Sequence, residues 1–182
     1  GRAYTEALAG LRKRQGINVE EEGQIEKEGI RIDRDTMISK LESIANNSQF
    51  DPEKLTFVSK EFADDLDGSS GDIQKKCCEH FMLALALCHS VLVEKNEQDP
   101  TKLDLQAQSP DEAALVTTAR DVGFSLIDNK KNIIVLEVQG VQKEFEVLNI
   151  LEFNSTRKRM SCIIKLPPKE PGGIPRALLI CK

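Results

Sequence analysis

No apolar run in this chain is long enough to cross a bilayer. The longest, Phe81 to Val93, is broken by His89 and Ser90, and it falls short of the roughly 20 residues a spanning helix needs. The expectation is a soluble fragment. An excess of basic charge is also missing: 25 Lys and Arg stand against 30 Asp and Glu, for a net charge of −5. That is the wrong sign for a duplex-binding module, so no nucleic-acid partner is expected. Nor is there a disulfide framework. The five cysteines (Cys77, Cys78, Cys88, Cys162, Cys181) are an odd set without framework spacing, and no signal peptide opens the sequence. These point to a reduced, cytosolic setting.

Several catalytic signatures are absent as well. Neither G-x-x-x-x-G-K-S/T nor G-x-G-x-x-G occurs, which removes the P-loop and the Rossmann fingerprint. A hydrolase triad has no nucleophile elbow to rest on. "DDLDGSSGD" fails as an EF-hand, because Gly68 at loop position six puts Ala63 first and Gln74 twelfth. It reads as a solvated acidic loop before a helix. Cys77, Cys78, His80, Cys88 and His89 crowd together, but no C-x-x-C pair exists, so buried thiols are expected rather than zinc. His89 reads as a hydrogen-bonded helix residue rather than a base.

What is present suits one domain with a sizeable core at 182 residues. "AYTEALAGLRKRQG" reads as a short amphipathic helix ending at Gly16. Ile17 to Arg34, dominated by Glu, Gly and Lys, reads as a mobile linker. "DRDTMISKLESIAN" spaces Met37, Ile38, Leu41 and Ile44 as a second short helix, broken by "NNSQFDPEK". The expected division is a helical and linker segment over 1–50 and a core domain over 51–182. Within the core, Ile73, Cys77, Phe81, Ala84, Leu85 and Cys88 form one stripe of a mostly buried helix. "EKNEQDPTK" reads as a loop and "LDLQAQ" as a short strand. "FSLIDNKKNIIVLEV" reads as two strands about an Asp128-Asn129 turn, and "KEFEVLNILEF", "MSCIIKL" and "RALLICK" add strands. The fold class expected is α+β, an antiparallel β-sheet flanked by helices.

Two stretches stand out. "SPDEAAL", Ser109 to Leu115, has the form of a capping box: a Ser that can cap, Pro at the first helical position and Glu112 three residues on. "LEFNSTRKRMS", Leu151 to Ser161, puts Phe153 at a strand end, then small polar residues, then Arg157, Lys158 and Arg159. One reading is a hairpin with solvated charge at its tip and Phe153 packed in the core. The other is an aromatic plate beside an anion site, which is what a nucleotide needs.

Together "SPDEAAL", "EFNSTRKRMS" and a strand ending in "CK" resemble the nucleotide-binding domain of P-type ATPases, specifically the phospholipid-flipping class. "LALCHSV" matches that class too, and "GRAYTEA" is similar to the stretch after the phosphorylation segment in fungal members. The resemblance covers roughly Phe57 to Lys182. It implies that Glu112 contacts the adenine end of ATP, that Phe153 stacks on the base, and that Ser155 and Lys158 surround the nucleotide. Lys182 matches the Lys of a Lys-Gly-Ala motif that closes the pocket, while Asp111, Thr156 and Arg157 are neighbours. Glu112 is expected both to close the helix cap and to face the ligand. The resemblance further implies a parent membrane protein, of the plasma membrane, Golgi or endosomes. There magnesium and an aspartate of a separate phosphorylation domain complete the chemistry, the transported substrate is a phospholipid, and an accessory subunit can join. No catalytic or metal-binding residue is expected in this fragment itself, which should not turn over alone. The competing readings are the same domain of a cation-transporting pump, and a non-enzymatic module that uses "STRKR" to hold an acidic partner.

Overall fold

A computed structural model describes residues 19–182 apart from positions 45, 56 and 100. The short helix expected before Gly16 lies outside the described residues. The chain then runs through helix α1 (Val19–Ile44), a 3₁₀ turn (Pro52–Lys54), α2 (Lys60–Asp67), α3 (Asp72–Leu87), strands β1 (Leu92–Lys95) and β2 (Leu103–Gln106), and α4 (Pro110–Asp121). Five strands follow: β3 (Phe124–Lys130), β4 (Ile133–Val138), β5 (Val141–Asn154), β6 (Arg159–Leu166) and β7 (Arg176–Cys181). They form an antiparallel sheet in sequence order, β3-β4-β5-β6-β7, and β1 and β2 pair as a separate ribbon. The architecture is the expected α+β.

The stretch expected as a mobile linker is helical. From Val19 it is continuous with the helix expected near Asp35, giving one element of 26 residues. Its Glu and Lys are good helix formers, Arg31 grips Glu28 one turn back, and its second half is anchored by the buried Met37 and Leu41. Packing downstream thus extends a polar helix upstream. "DDLDGSSGD" is likewise only part loop. Its first residues belong to α2, capped by Ser59 through Phe62 N–H and closed at Gly68 in the left-handed conformation.

Helix α3 with its C-cap buries Leu85 and Cys88 of the expected stripe, but over its earlier turns it faces the core with other residues. Cys78, Met82 and Leu85 face the core, while Ile73 and Phe81 are 82% and 58% exposed and Cys77 is exposed. The cause is legible in "CC" and "FM": apolar doublets offer two stripes one residue apart, and only the facing elements choose between them. The β3–β4 turn also moves. Asp128 and Asn129 sit inside β3, past a bulge that follows Leu126, and the chain reverses at Lys131 (φ 50°). The Asp128 carboxylate accepts the Asn129 N–H and pairs with Lys130, so it serves the bulged strand rather than a turn. β1 was not expected as a strand, only Glu94 and Lys95 of it falling in the expected loop, and it forms because β2 supplies its ladder, Leu92 against Gln106 through Lys95 against Leu103.

The segment after α1 is a tie point. Asn47 donates to the Arg120 carbonyl at 2.6 Å and accepts from Ser125 Oγ at 2.9 Å, linking α4 to β3. Gln49 bonds Leu103 N–H and the Thr101 carbonyl, linking the ribbon. Against Asn46 packs Gly140 (φ 82°), where an added Cβ would lie 2.8 Å from the Asn46 carbonyl oxygen.

Candidate functional site

Pro110 opens α4 as its first residue and Ser109 stands at its N-cap with extended backbone, but the Ser109 side chain makes no capping bond. The capping box is not closed. Glu112 instead turns to the loop after α3. Ser90 N–H donates to Glu112 Oε1 at 3.2 Å and Ser90 Oγ donates to Oε2 at 2.7 Å. A carboxylate gains more from two directed donors, one of them a hydroxyl, than from one frayed N–H at a helix end. Only the outward-facing half of the expected double role can therefore stand. Lys182 Nζ lies 3.7 Å from Glu112 Oε1, with the two side chains 20% and 13% exposed.

Lys182 reaches this position by continuing the sheet. Met160 N–H donates to the Lys182 carbonyl at 2.9 Å and Lys182 N–H donates to the Met160 carbonyl at 2.8 Å. On the other side of Met160 lies a bulge. Leu151 pairs with Ser161 and Asn154 with Arg159, which leaves Glu152 and Phe153 together opposite Met160. The Phe153 backbone thus stands two strand spacings from Lys182, about 10 Å. Its ring is 64% exposed. That excludes the core-packing reading and leaves an open aromatic surface on the strand two over from the one Lys182 continues.

The five residues named from the sequence are not all bonded to one another. Glu112 and Lys182 meet directly, Phe153 is their neighbour across β6, and Ser155 and Lys158 are exposed in the turn that joins β5 to β6. Asn154 builds that turn, accepting Arg157 N–H on its side chain and Lys158 N–H on its carbonyl, both at 2.8 Å. Lys158 sits at φ 53°. Arg157 is partly committed, because its guanidinium donates to the buried Ser161 Oγ at 3.1 Å. Asp111 and Thr156 are exposed.

Ser90, His89 and Asn154 were missed as site-building residues. His89 is fully buried; its Nδ1 accepts Val91 N–H at 3.0 Å, which makes the protonated Nε2 the donor to the Ala86 carbonyl at 2.9 Å. Burial depresses its pKa to about 4, so it is neutral at physiological pH. Cys88 and Cys162 are buried beneath Lys182. A hydrogen bond from Cys162, helped by the Lys182 charge and backbone N–H, pushes the Cys88 thiol down to about 7, and Cys162 is pushed up in return. The signal for Ser90 and His89 was present as "CHSV", but nothing local says that this loop meets α4. Two cavities lie elsewhere: one of about 420 Å³ between α3 and the β4–β5 hairpin, and one of about 270 Å³ near Pro167 and Pro168.

Over its whole length the chain is 70% identical to Phospholipid-transporting ATPase DNF1 and 68% identical to Phospholipid-transporting ATPase DNF2, both of Saccharomyces cerevisiae. It is 47% identical to Phospholipid-transporting ATPase DNF1 of Chaetomium thermophilum. It spans only 11–12% of the length of these relatives. Among the described residues no helix is long and apolar enough to cross a membrane. Residues 77–182, which include Glu112, Phe153 and Lys182, match the family model "P-type ATPase, cytoplasmic domain N", and the chain belongs to that family.

Proposed function

We propose that this domain binds ATP for a phospholipid-translocating P-type ATPase. It holds the nucleotide so that the γ-phosphate reaches the aspartate of a separate phosphorylation domain. Magnesium belongs with the phosphates in the assembled parent, and the cycle drives a phospholipid between leaflets. The observation that carries the reading is the bracket around Met160: an exposed aromatic ring on one side, a Lys–Glu pair on the other. Phe153 offers a face for the purine, Glu112 an acceptor for the exocyclic amine and Lys158 a cation for the phosphates, while Lys182, held against Glu112, closes the pocket at the base end. The names of the fungal relatives support the phospholipid substrate. The parent is then an integral membrane enzyme with this domain on its cytosolic side.

Affinity in isolation is weak on this reading. Stacking contributes ~1–3 kcal/mol and each charge-assisted bond ~1.5–3, against an association cost of ~4 or more. A Kd on the order of a millimolar follows, near −4 kcal/mol. A fluorescent ATP analogue tests the reading: it should bind saturably and be displaced by ADP. An interaction module that uses its basic turn for an acidic partner would give no saturable signal.

A further inference from the structure

One residue holds both oxygens of Glu112, one through its backbone and the other through its hydroxyl. Ser90 donates its N–H to Oε1 and its hydroxyl to Oε2, so the carboxylate cannot rotate without breaking a bond. Ser90 is itself fixed from both sides. Cys88 N–H caps α3 on the Ala84 carbonyl at 2.9 Å, and His89 clamps the loop between the Ala86 carbonyl and Val91 N–H. We propose that Ser90 is a positioning residue for the nucleotide base. By locking Glu112 it sets a preference for a base edge that presents an amino donor over one that presents a carbonyl. The inference rests on the ATP-binding reading above.

A carboxylate has about four acceptor sites. Ser90 takes two and the Lys182 ammonium lies against Oε1, so the site left for a ligand points in one fixed direction. Adenine brings an amine to such an acceptor. Guanine brings its O6 carbonyl, which repels the carboxylate and leaves two acceptors facing each other without a proton. Sites built around a directed polar group reject the wrong partner because a buried group is left unpaired. Once freed, the Glu112 side chain could swing away from guanine and would lose orientation toward adenine. Ser90 is exposed, so its hydroxyl is dispensable for packing.

ATP and GTP titrations followed by amide chemical shifts, on the chain with native Ser90 and on Ser90→Ala and Ser90→Thr, test this. With Ser90 present, ATP should bind about tenfold tighter than GTP, a factor within reach of one directed polar contact. Ser90→Ala should weaken ATP about fivefold, in the range of one lost hydrogen bond. GTP should change less than about twofold. Ser90→Thr, which keeps the hydroxyl, should restore the ATP preference. In a Glu112→Ala background, Ser90→Ala should change nothing further. An equal loss for both nucleotides, or a fall in melting temperature that accounts for the lost binding, would overturn the role. If the native chain binds ATP and Ser90→Ala binds it equally well, Ser90 has no such role while the ATP-binding reading survives. If the native chain binds neither nucleotide, both readings fall.

Discussion

Phe153 and Lys182 stand on opposite sides of Met160, one in a bulge of β5 and the other continuing β7. This places the backbones of an aromatic and a cationic residue about 10 Å apart, two strand spacings, on one sheet. A ring that is 64% exposed contributes little to the core. Phe153→Ala should therefore lose detectable ATP binding, as removal of ~1–3 kcal/mol from a millimolar interaction implies. Its melting temperature should stay unchanged, and Phe153→Trp should retain binding. Unfolding of the Ala variant in a thermal melt would show that the ring holds the fold instead.

The rotated stripe of α3 can be measured directly. Met82→Ala removes a fully buried side chain and should cost ~2–5 kcal/mol in urea denaturation. Ile73→Ala, at 82% exposure, should stay within about 0.5 kcal/mol of the native chain. Comparable losses at both positions would restore the expected stripe.

His89 predicts an acid dependence with a definite sign. Its folded pKa is depressed to about 4 from 6.5, first by burial and also by the Lys182 charge, with the Ala86 carbonyl and Glu112 pulling the other way. Between these values the unfolded chain binds the extra proton, so stability is full above pH 6.5 and falls as pH drops toward 4. The loss from this group is about 3 kcal/mol at most. The buried Asp121, raised by desolvation, works against the trend in its own range. Comparing urea midpoints at pH 7 and 4.5 for the native chain and His89→Gln checks this: the variant should show the shallower slope.

Gly140 and Gly172 both adopt left-handed backbone, at φ 82° and 79°, yet differ in surroundings. At Gly172 an added methyl meets open space, and Gly172→Ala should cost only the backbone strain, ~1–2 kcal/mol. At Gly140 the methyl would press on the Asn46 carbonyl. Gly140→Ala should therefore destabilise by at least ~1 kcal/mol more, read from the same denaturation curves.

Strands β2 to β7 and α4 were legible because each carries local signals: Gly123 ends α4, "LDLQAQ" alternates, and runs rich in Ile, Leu, Val and Phe mark β3 to β7. Where the sequence misled, the deciding atoms lay on another element. The polar start of α1 is helical because Met37 and Leu41 are packed far downstream. α3 turns its Cys78–Met82–Leu85 face inward because its partners select one of two apolar stripes. Asp128 looked like a turn residue until a bulge used it. At the site, Glu112 and Phe153 could be named from motif resemblance. The grip of Ser90 on Glu112 could not, since nothing local in "CHSV" or "SPDEAAL" says that the two meet.

The most direct measurement is an ATP titration of the labelled chain followed by amide shifts. The account predicts a saturable Kd on the order of a millimolar, with perturbations centred on Ser90, Glu112, Phe153 to Lys158 and Lys182. Shifts confined to residues remote from Phe153 and Glu112, such as the cavity between α3 and the β4–β5 hairpin, would contradict it.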